Sequence, residues 1–217
     1  MEIKGIGFDI DGTLYNNVFM YLCTIPSFLK HPRLVWHFGR VRSVIREKRP
    51  VDNFRRFQAG LIAEAMNASE VEVRVKVEKL LYEDWEKSFR IIRPLRGLKE
   101  GLKALREEGF TLGVMSDFPV QNKLKYLGLE DWDCAFTAES TGYLKPHPEP
   151  FIELARRMKL EPREVLYVGN SYAKDIIGAS NAGMKTAYFG TGLPRGHIAD
   201  FSFTKYPDLF DYILGKQ

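Results

Sequence analysis

Residues 3–14, Ile3-Lys4-Gly5-Ile6-Gly7-Phe8-Asp9-Ile10-Asp11-Gly12-Thr13-Leu14, decide how the rest of the chain is read. Apolar residues at 3, 6, 8 and 10, with little that favours a helix, mark a short buried strand over residues 3–10. That strand delivers two acids, Asp9 and Asp11, into a glycine turn. On an extended backbone both carboxylates face one way while Ile10 faces the core. Two carboxylates so close repel each other unless a cation lies between them or one is protonated. Gly12 lets the backbone turn sharply just after the pair. A surface Asp-Gly turn is the plainer alternative.

Working outward, the chain beyond Pro94 alternates strand and helix. An amphipathic helix spans Leu98 to Glu108 and is followed by Gly109, then a strand runs from Thr111 to Met115. A helix from Val120 stops at Gly128, and Cys134 to Ala138 is a short strand. Helix Glu149 to Lys159, strand Val165 to Val168, helix Lys174 to Ala182 and strand Thr186 to Phe189 complete the series. Such alternation implies a parallel sheet with crossover helices.

Between the first strand and this series, residues 15–93 read mostly as helices. Leu34, Trp36, Phe38, Val41, Val44 and Ile45 can line one helix face, and Phe54, Phe57, Leu61, Ile62 and Ala65 another. The stretch 70–78 is ambiguous, because valines at 71, 73, 75 and 77 alternate as in a strand. Ser69 and Glu72 form a capping-box pattern, however, and Val73, Val77, Leu80, Leu81, Trp85 and Phe89 share one helical stripe, which favours a helix from about 70 to 89. The expected fold class is α/β: a Rossmann-like parallel-sheet core of residues 1–14 and 94–217, interrupted by a helical insert, residues 15–93.

Composition narrows the function classes. The chain has 217 residues, 45% apolar and 28% charged, with 13% aromatics, which suits a folded core and excludes a disordered or collagen-like chain. Cys23 and Cys134 are the two cysteines, and they show no metal-ligand spacing with the four histidines. This points to a reducing compartment without structural disulfides or zinc. The apolar stretch Val18 to Leu29 is interrupted by Thr24, Pro26 and Ser27 and is shorter than the roughly 20 residues of a membrane span. Asp9 and Asp11 lie where a signal peptide would be apolar, so a cytoplasmic location is expected. Net charge is +4, but residues 30–56 hold nine Lys/Arg against two acids.

Three further segments end predicted core strands, where open α/β sheets place ligands. In Val114-Met115-Ser116-Asp117 a hydroxyl closes an apolar strand and can donate to a phosphate oxygen, or cap the next helix. In Gly142-Tyr143-Leu144-Lys145-Pro146-His147-Pro148 two prolines stiffen the chain around a lysine suited to an anion. In Tyr167-Val168-Gly169-Asn170-Ser171-Tyr172-Ala173-Lys174-Asp175 an Asn and an Asp flank a tight loop. Those oxygens suit a hard cation such as Mg2+, while helix capping is the plainer reading.

Taken in order — acid pair, hydroxyl, lysine, Asn/Asp, with helices inserted after the first — the four segments resemble the haloacid dehalogenase-like hydrolase superfamily, in its phosphatase-type branch with a helical cap. FDIDGTLY, LKPHPEPF and VGNSYAKDIIGASNAGM carry the resemblance. It implies that Asp9 is a nucleophile forming an aspartyl-phosphate and Asp11 the general acid/base. It implies that Thr13, Ser116, Asp117 and Lys145 contact substrate, with Lys145 also steadying the nucleophile. Mg2+ would be held by Asp9, the Asp11 carbonyl, Asn170 and Asp175. The resemblance further makes residues 15–93 a mobile cap hinged near 15–17 and 93–97.

Two positions depart from the family pattern. Asn170 stands where most family phosphatases have Asp, which predicts weaker Mg2+ binding. Asp117 stands where Asn is frequent, which predicts a bias against highly anionic substrates. The basic stretch 30–56 is either a solvated helix face or a steering field for anions. No nucleic-acid motif accompanies it, so no nucleic-acid partner and no membrane partner is expected. The expected function is a Mg2+-dependent phosphatase acting on a small phosphorylated metabolite. The alternatives are a phosphomutase, a 2-haloacid dehalogenase, against which Asp11 argues, and a non-catalytic phospho-ligand-binding member.

Overall fold

The computed structural model describes residues 2–47 and 50–215, and of residues 23, 26 and 27 only the backbone. Six strands form one sheet: β1 (Gly5–Phe8), β2 (Thr111–Ser116), β3 (Cys134–Thr137), β4 (Val165–Gly169), β5 (Lys185–Phe189) and β6 (Phe201–Phe203), in the order β3-β2-β1-β4-β5-β6. Every pairing is parallel. β1 is buried on both faces, as a central parallel strand must be. It is shorter than residues 3–10 suggested, ending at Phe8 with one further backbone bond from Asp9 to β4. Its glycines admit a helix pressed against the sheet, since a Cβ on Gly7 would lie 2.7 Å from Leu154. Strand order reverses on either side of β1, which puts the crevice at the carboxyl ends of β1, β2 and β4.

The expected α/β architecture is therefore observed. Between β1 and β2 come α1 (Asn17–Phe28), α2 (Pro32–Glu47), α3 (Phe54–Met66) and α4 (Glu70–Val77). α4 continues through a π-helical stretch, Glu78–Asp84, into α5 (Trp85–Lys87) and a 3-10 turn, Ser88–Arg90. The ambiguous segment is thus helical. Val73, Val77, Leu80, Leu81, Trp85 and Phe89 are buried, while Val71 and Val75 stand 63% and 61% exposed, so the 3–4 spacing decided and the alternation did not. Ser69, however, makes no side-chain capping bond. On α2 the buried stripe is Leu34, Phe38, Val41, Arg42 and Ile45, whereas Trp36 and Val44 are exposed.

These helices share a hydrophobic cluster that includes Leu34, Phe38, Ile45, Phe54, Ile62, Val73 and Leu81. Met20, Trp85 and Phe89, near the two ends of the insertion, join the cluster under the sheet instead. Around the sheet lie α6 (Leu98–Glu107), α7 (Gln121–Leu127), α8 (Pro148–Arg157), α9 (Ile177–Asn181, after a π-helical turn at Tyr172–Ile176) and α10 (Tyr206–Leu214). β6 and α10 lie beyond the alternation read above. The spacing of Tyr206, Leu209 and Phe210 behind Pro207 is the signal for α10. None of the described helices is long and apolar enough to cross a membrane.

Candidate active site

The sheet ends and the insertion enclose a cavity of about 450 Å3, lined by Asp9, Asp11, Asn17, Asp117, Lys145, Asn170 and Asp175 among others. Asp9 is set just past β1 by its backbone N–H, which donates to the Val168 carbonyl on β4 at 2.9 Å. Its carboxylate is buried. Lys145 Nζ donates to Asp9 Oδ1 and to Asp175 Oδ1, both at 2.6 Å, and Thr13 Oγ1 donates to Asp9 Oδ2 at 2.9 Å. The Ser171 N–H donates to Asp175 Oδ2 at 2.9 Å. The lysine thus ties the ends of β1 and β4 through two carboxylates from different segments.

Asp11 lines the same cavity but belongs to a second node. Lys123 Nζ, from α7, donates to both of its carboxylate oxygens, at 2.6 and 2.8 Å. Ser116 Oγ donates to Asp11 Oδ2 at 2.6 Å, and Tyr15 OH to Oδ1 at 2.7 Å. Lys123 is fully buried, with its ammonium 4.2 Å from the Trp85 ring centroid and 5.3 Å from that of Phe118. Sequence reading finds no sign of Lys123, and takes Tyr15 only as the end of FDIDGTLY and part of a hinge. The segment Gln121-Asn122-Lys123-Leu124-Lys125 looks like a solvated helix, and nothing local says which lysine turns inward.

The two carboxyls are pushed in opposite directions. Burial raises Asp9 to about 7, helped by Asp175 and Asp11 and opposed by Lys145. Burial works on Asp11 the same way, but the Lys123 ammonium and the Ser116 and Tyr15 hydroxyls outweigh it and hold that carboxyl below its usual value. Burial lowers Lys123 despite Asp11, whereas Asp175 and Asp9 together carry Lys145 well above the usual lysine value against the same penalty.

Several expected contacts differ from the sequence reading. The Ser116 hydroxyl is turned to Asp11 and accepts from the Phe118 N–H at 3.1 Å, so in this arrangement it orients the second acid. Thr13 is likewise buried against Asp9 and stands 3.4 Å from Asn170 Oδ1. Asp117 does not present an unpaired charge. Arg46 of α2 pairs with it at 2.6 Å and the Lys145 N–H donates to its Oδ1 at 3.1 Å, so its charge is balanced within the protein. Burial opposes its ionisation, but Arg46, Lys145 and Arg42 overcome this and keep its carboxyl low.

The basic stretch divides in the same way. Arg42 is buried, pairs with Glu139 at 2.6 Å and donates to the Asp117 carbonyl at 2.7 Å. Arg46 also donates to the Lys145 carbonyl. These two cations fasten α2 to the sheet ends, which neither a solvated face nor a steering field anticipates. Lys30, Arg33, Arg40, Arg55 and Arg56 are exposed, and positions 48 and 49 lie outside the described residues.

For a metal, the candidate donors are all oxygens: the Asp9 and Asp175 carboxylates, the Asp11 carbonyl and Asn170 Oδ1. Oxygen-only sets suit Mg2+. Three carboxylates, Asp9, Asp11 and Asp175, converge here with the Lys123 and Lys145 ammoniums in contact, and Lys174 also lines the cavity. Asn17 Oδ1 is buried without a hydrogen-bond partner, while its amide nitrogen donates to the Asp11 carbonyl at 3.2 Å. The donor set therefore fits a hard cation. Among the described residues, no three His, Cys, Asp or Glu side chains converge to cage one.

Sequence and structure comparisons agree with this geometry. The chain is 31% identical over 217 residues to a phosphoglycolate phosphatase of Haemophilus influenzae, covering 94% of this chain and 91% of that one. A crystal structure of a HAD phosphatase from Thermococcus onnurineus superposes with a TM-score of 0.68 at 26% identity, over 98% of both chains. A 2-haloacid dehalogenase from Pseudomonas syringae pv. Tomato shares the fold with a TM-score of 0.71 at 24% identity, over 99% of both chains. With the haloacid dehalogenase-like hydrolase model matching residues 3–183, the chain is a member of that family of hydrolases.

Proposed function

We propose that this protein is a Mg2+-dependent phosphatase that hydrolyses a small phosphorylated metabolite through an aspartyl-phosphate on Asp9. The observation that carries the reading is Lys145, whose ammonium lies 2.6 Å from both Asp9 and Asp175 at the floor of the cavity, with Asp11 on the same wall. The phosphatase names of the Haemophilus and Thermococcus relatives support it.

The chemistry follows from the residues. An Asp9 carboxylate oxygen, oriented by Thr13 and Lys145, attacks phosphorus and the leaving oxygen departs. Asp11 is ionised at rest, so the proton it passes to that oxygen comes from the Lys123 ammonium 2.6 Å away. It later takes one from the water that cleaves the aspartyl-phosphate and returns it to Lys123, which restores Asp9 and the ion pair. Ser116, Tyr15 and Lys123 hold Asp11 in place for both transfers. Asp9, the Asp11 carbonyl, Asn170 and Asp175 would hold Mg2+, which supplies the charge neutralisation a phosphate dianion needs beside these acids.

Residues 15–93 serve as a cap in this reading. The two connections run side by side, with the Leu95 N–H donating to the Leu14 carbonyl at 2.9 Å and a bridge between Tyr15 and Pro94, as a paired hinge would. The Arg42–Glu139 and Arg46–Asp117 pairs then hold the cap closed against the core. Cytoplasmic placement belongs to the same proposal.

The test is Asp9→Asn assayed with a generic aryl phosphate and Mg2+. Phosphate release is expected to vanish, along with the beryllofluoride adduct seen by fluorine NMR on the native protein. Retained turnover defeats the reading. Chloride release from a 2-haloacid without metal would move the protein to the dehalogenase branch instead.

A further inference from the structure

The cavity has two chemically different ends. Asp9, Asp11, Lys145 and Asn170 form the polar one, and Phe28, Val35, Phe38, Leu81, Trp85 and Phe118 wall the other. Among the described residues the insertion puts one charged side chain on this wall, Arg46, and its guanidinium is already paired with Asp117 at 2.6 Å. Lys174 also lines the cavity, but at the sheet end beside Asp175, Asp117 and Lys145. A leaving group's carboxylate or second phosphate set against the aromatic wall would therefore lose its hydration without gaining an uncommitted ionic partner there, which is costly. A neutral ring gains from the same wall. Trp85 meets Phe118 edge-on at 4.7 Å between centroids, and Phe38 stacks on Phe118 at 6.2 Å, so the aromatic faces are already arranged.

Size points the same way. A cavity of about 150 Å3 accommodates a benzene ring, and this one measures about 450 Å3. A phosphoryl group on a two-carbon acid would leave most of it empty.

Gly39 supplies part of the room. It lies on α2 four residues after Val35 and seven before Arg46, so all three share the helix face that lines the cavity. A Cβ placed on Gly39 would meet no atom within 4 Å. Glycine is disfavoured inside a helix, and Gly39, which is exposed yet lines the cavity, leaves its rim open where a side chain would narrow it.

We infer that the substrate is the phosphomonoester of a neutral, apolar alcohol carrying one or two rings, with Gly39 as the position that sets the permitted size. This rests on the phosphatase reading above.

The experiment compares kcat/KM on the native protein, with Mg2+, for benzyl phosphate, 2-naphthylmethyl phosphate, ethyl phosphate and 2-phosphoglycolate. The ring esters are expected to exceed the other two by about tenfold or more, the scale on which apolar pockets discriminate. Gly39→Leu is expected to lower kcat/KM for the naphthylmethyl ester by about tenfold and to leave ethyl phosphate within about twofold. Preference for phosphoglycolate, or equal values across the panel, overturns the leaving-group inference while the phosphatase reading stands. Turnover of none of the four esters overturns both. An equal loss on both esters in Gly39→Leu, repeated in the milder Gly39→Ala, overturns the role given to Gly39.

Discussion

Lys145 and Lys123 are both buried ammonium groups set against carboxylates of one cavity, yet they are built in opposite ways. Lys145 bridges two acids and stands 3.5 Å from the Tyr167 hydroxyl, entirely within the sheet domain. Lys123 faces one acid and is otherwise boxed by Trp85, Phe89 and Phe118, two of them from the insertion. Two anions in contact overcome the desolvation of the first lysine, whereas Asp11 in contact, with Asp9 and Glu86 acting without contact, does not overcome that of the second. The lesson is that the sheet holds its cation by charge and the insertion holds its own by shape. Asp11 therefore depends on how the insertion sits, and Asp9 does not.

The hardest blow to this contrast is Lys145→Met. It leaves Asp9 and Asp175 buried without their shared cation, so stability should fall by about 3–5 kcal/mol in chemical denaturation, and phosphatase activity by about a thousandfold. Lys123→Met should cost less. Asp11 keeps its Ser116 and Tyr15 donors and is 21% exposed, so a loss of about 1–3 kcal/mol and about a hundredfold in kcat is expected. If the two variants lose equally, the contrast is gone.

The opposite displacement of the two acids can be read from stability against pH in EDTA. Asp9 stands raised from 3.8 to about 7 when folded, so the folded protein binds its proton more tightly than the unfolded chain. Its contribution must therefore decline as pH rises through that interval. Asp11 is lowered, so what it contributes is lost only as pH falls below its unfolded value. Tm in EDTA should drop from about pH 5 to about pH 7.5, and Asp9→Asn should flatten that slope. A level native profile would contradict the assignment.

The smallest effect concerns the metal. Asn170→Asp adds a charge to the oxygen set beside Asp9, and Mg2+ should bind roughly tenfold more tightly by calorimetry. Equal or poorer affinity removes Asn170 from the donor set.

Much of the sheet node was legible. Asp9, Asp11, Lys145, Asn170 and Asp175 sit at strand ends in glycine- or proline-marked loops, and local chemistry singles them out. The helices between β1 and β2 were legible as helices, because buried stripes such as Val73, Val77 and Leu81 recur at helical spacing. The other half of the site was not. Lys123 lies in a helix that reads as solvated, and Arg42 and Arg46 read as members of a basic run. Asn17 looks like the start of a helix, yet it lines the cavity and its buried Oδ1 has no donor.

The amino-acid sequence by itself determined which acids, which lysine and which amide stand at the ends of the core strands, since each is encoded by a few neighbouring residues. Which cation serves which acid, and what the far wall of the cavity will accept, only the tertiary structure decided. Those partners come from segments about a hundred residues apart in the chain, such as Asp11 with Lys123 and Arg42 with Glu139. Their pairing depends on the angle at which helices pack, and no local pattern records that angle.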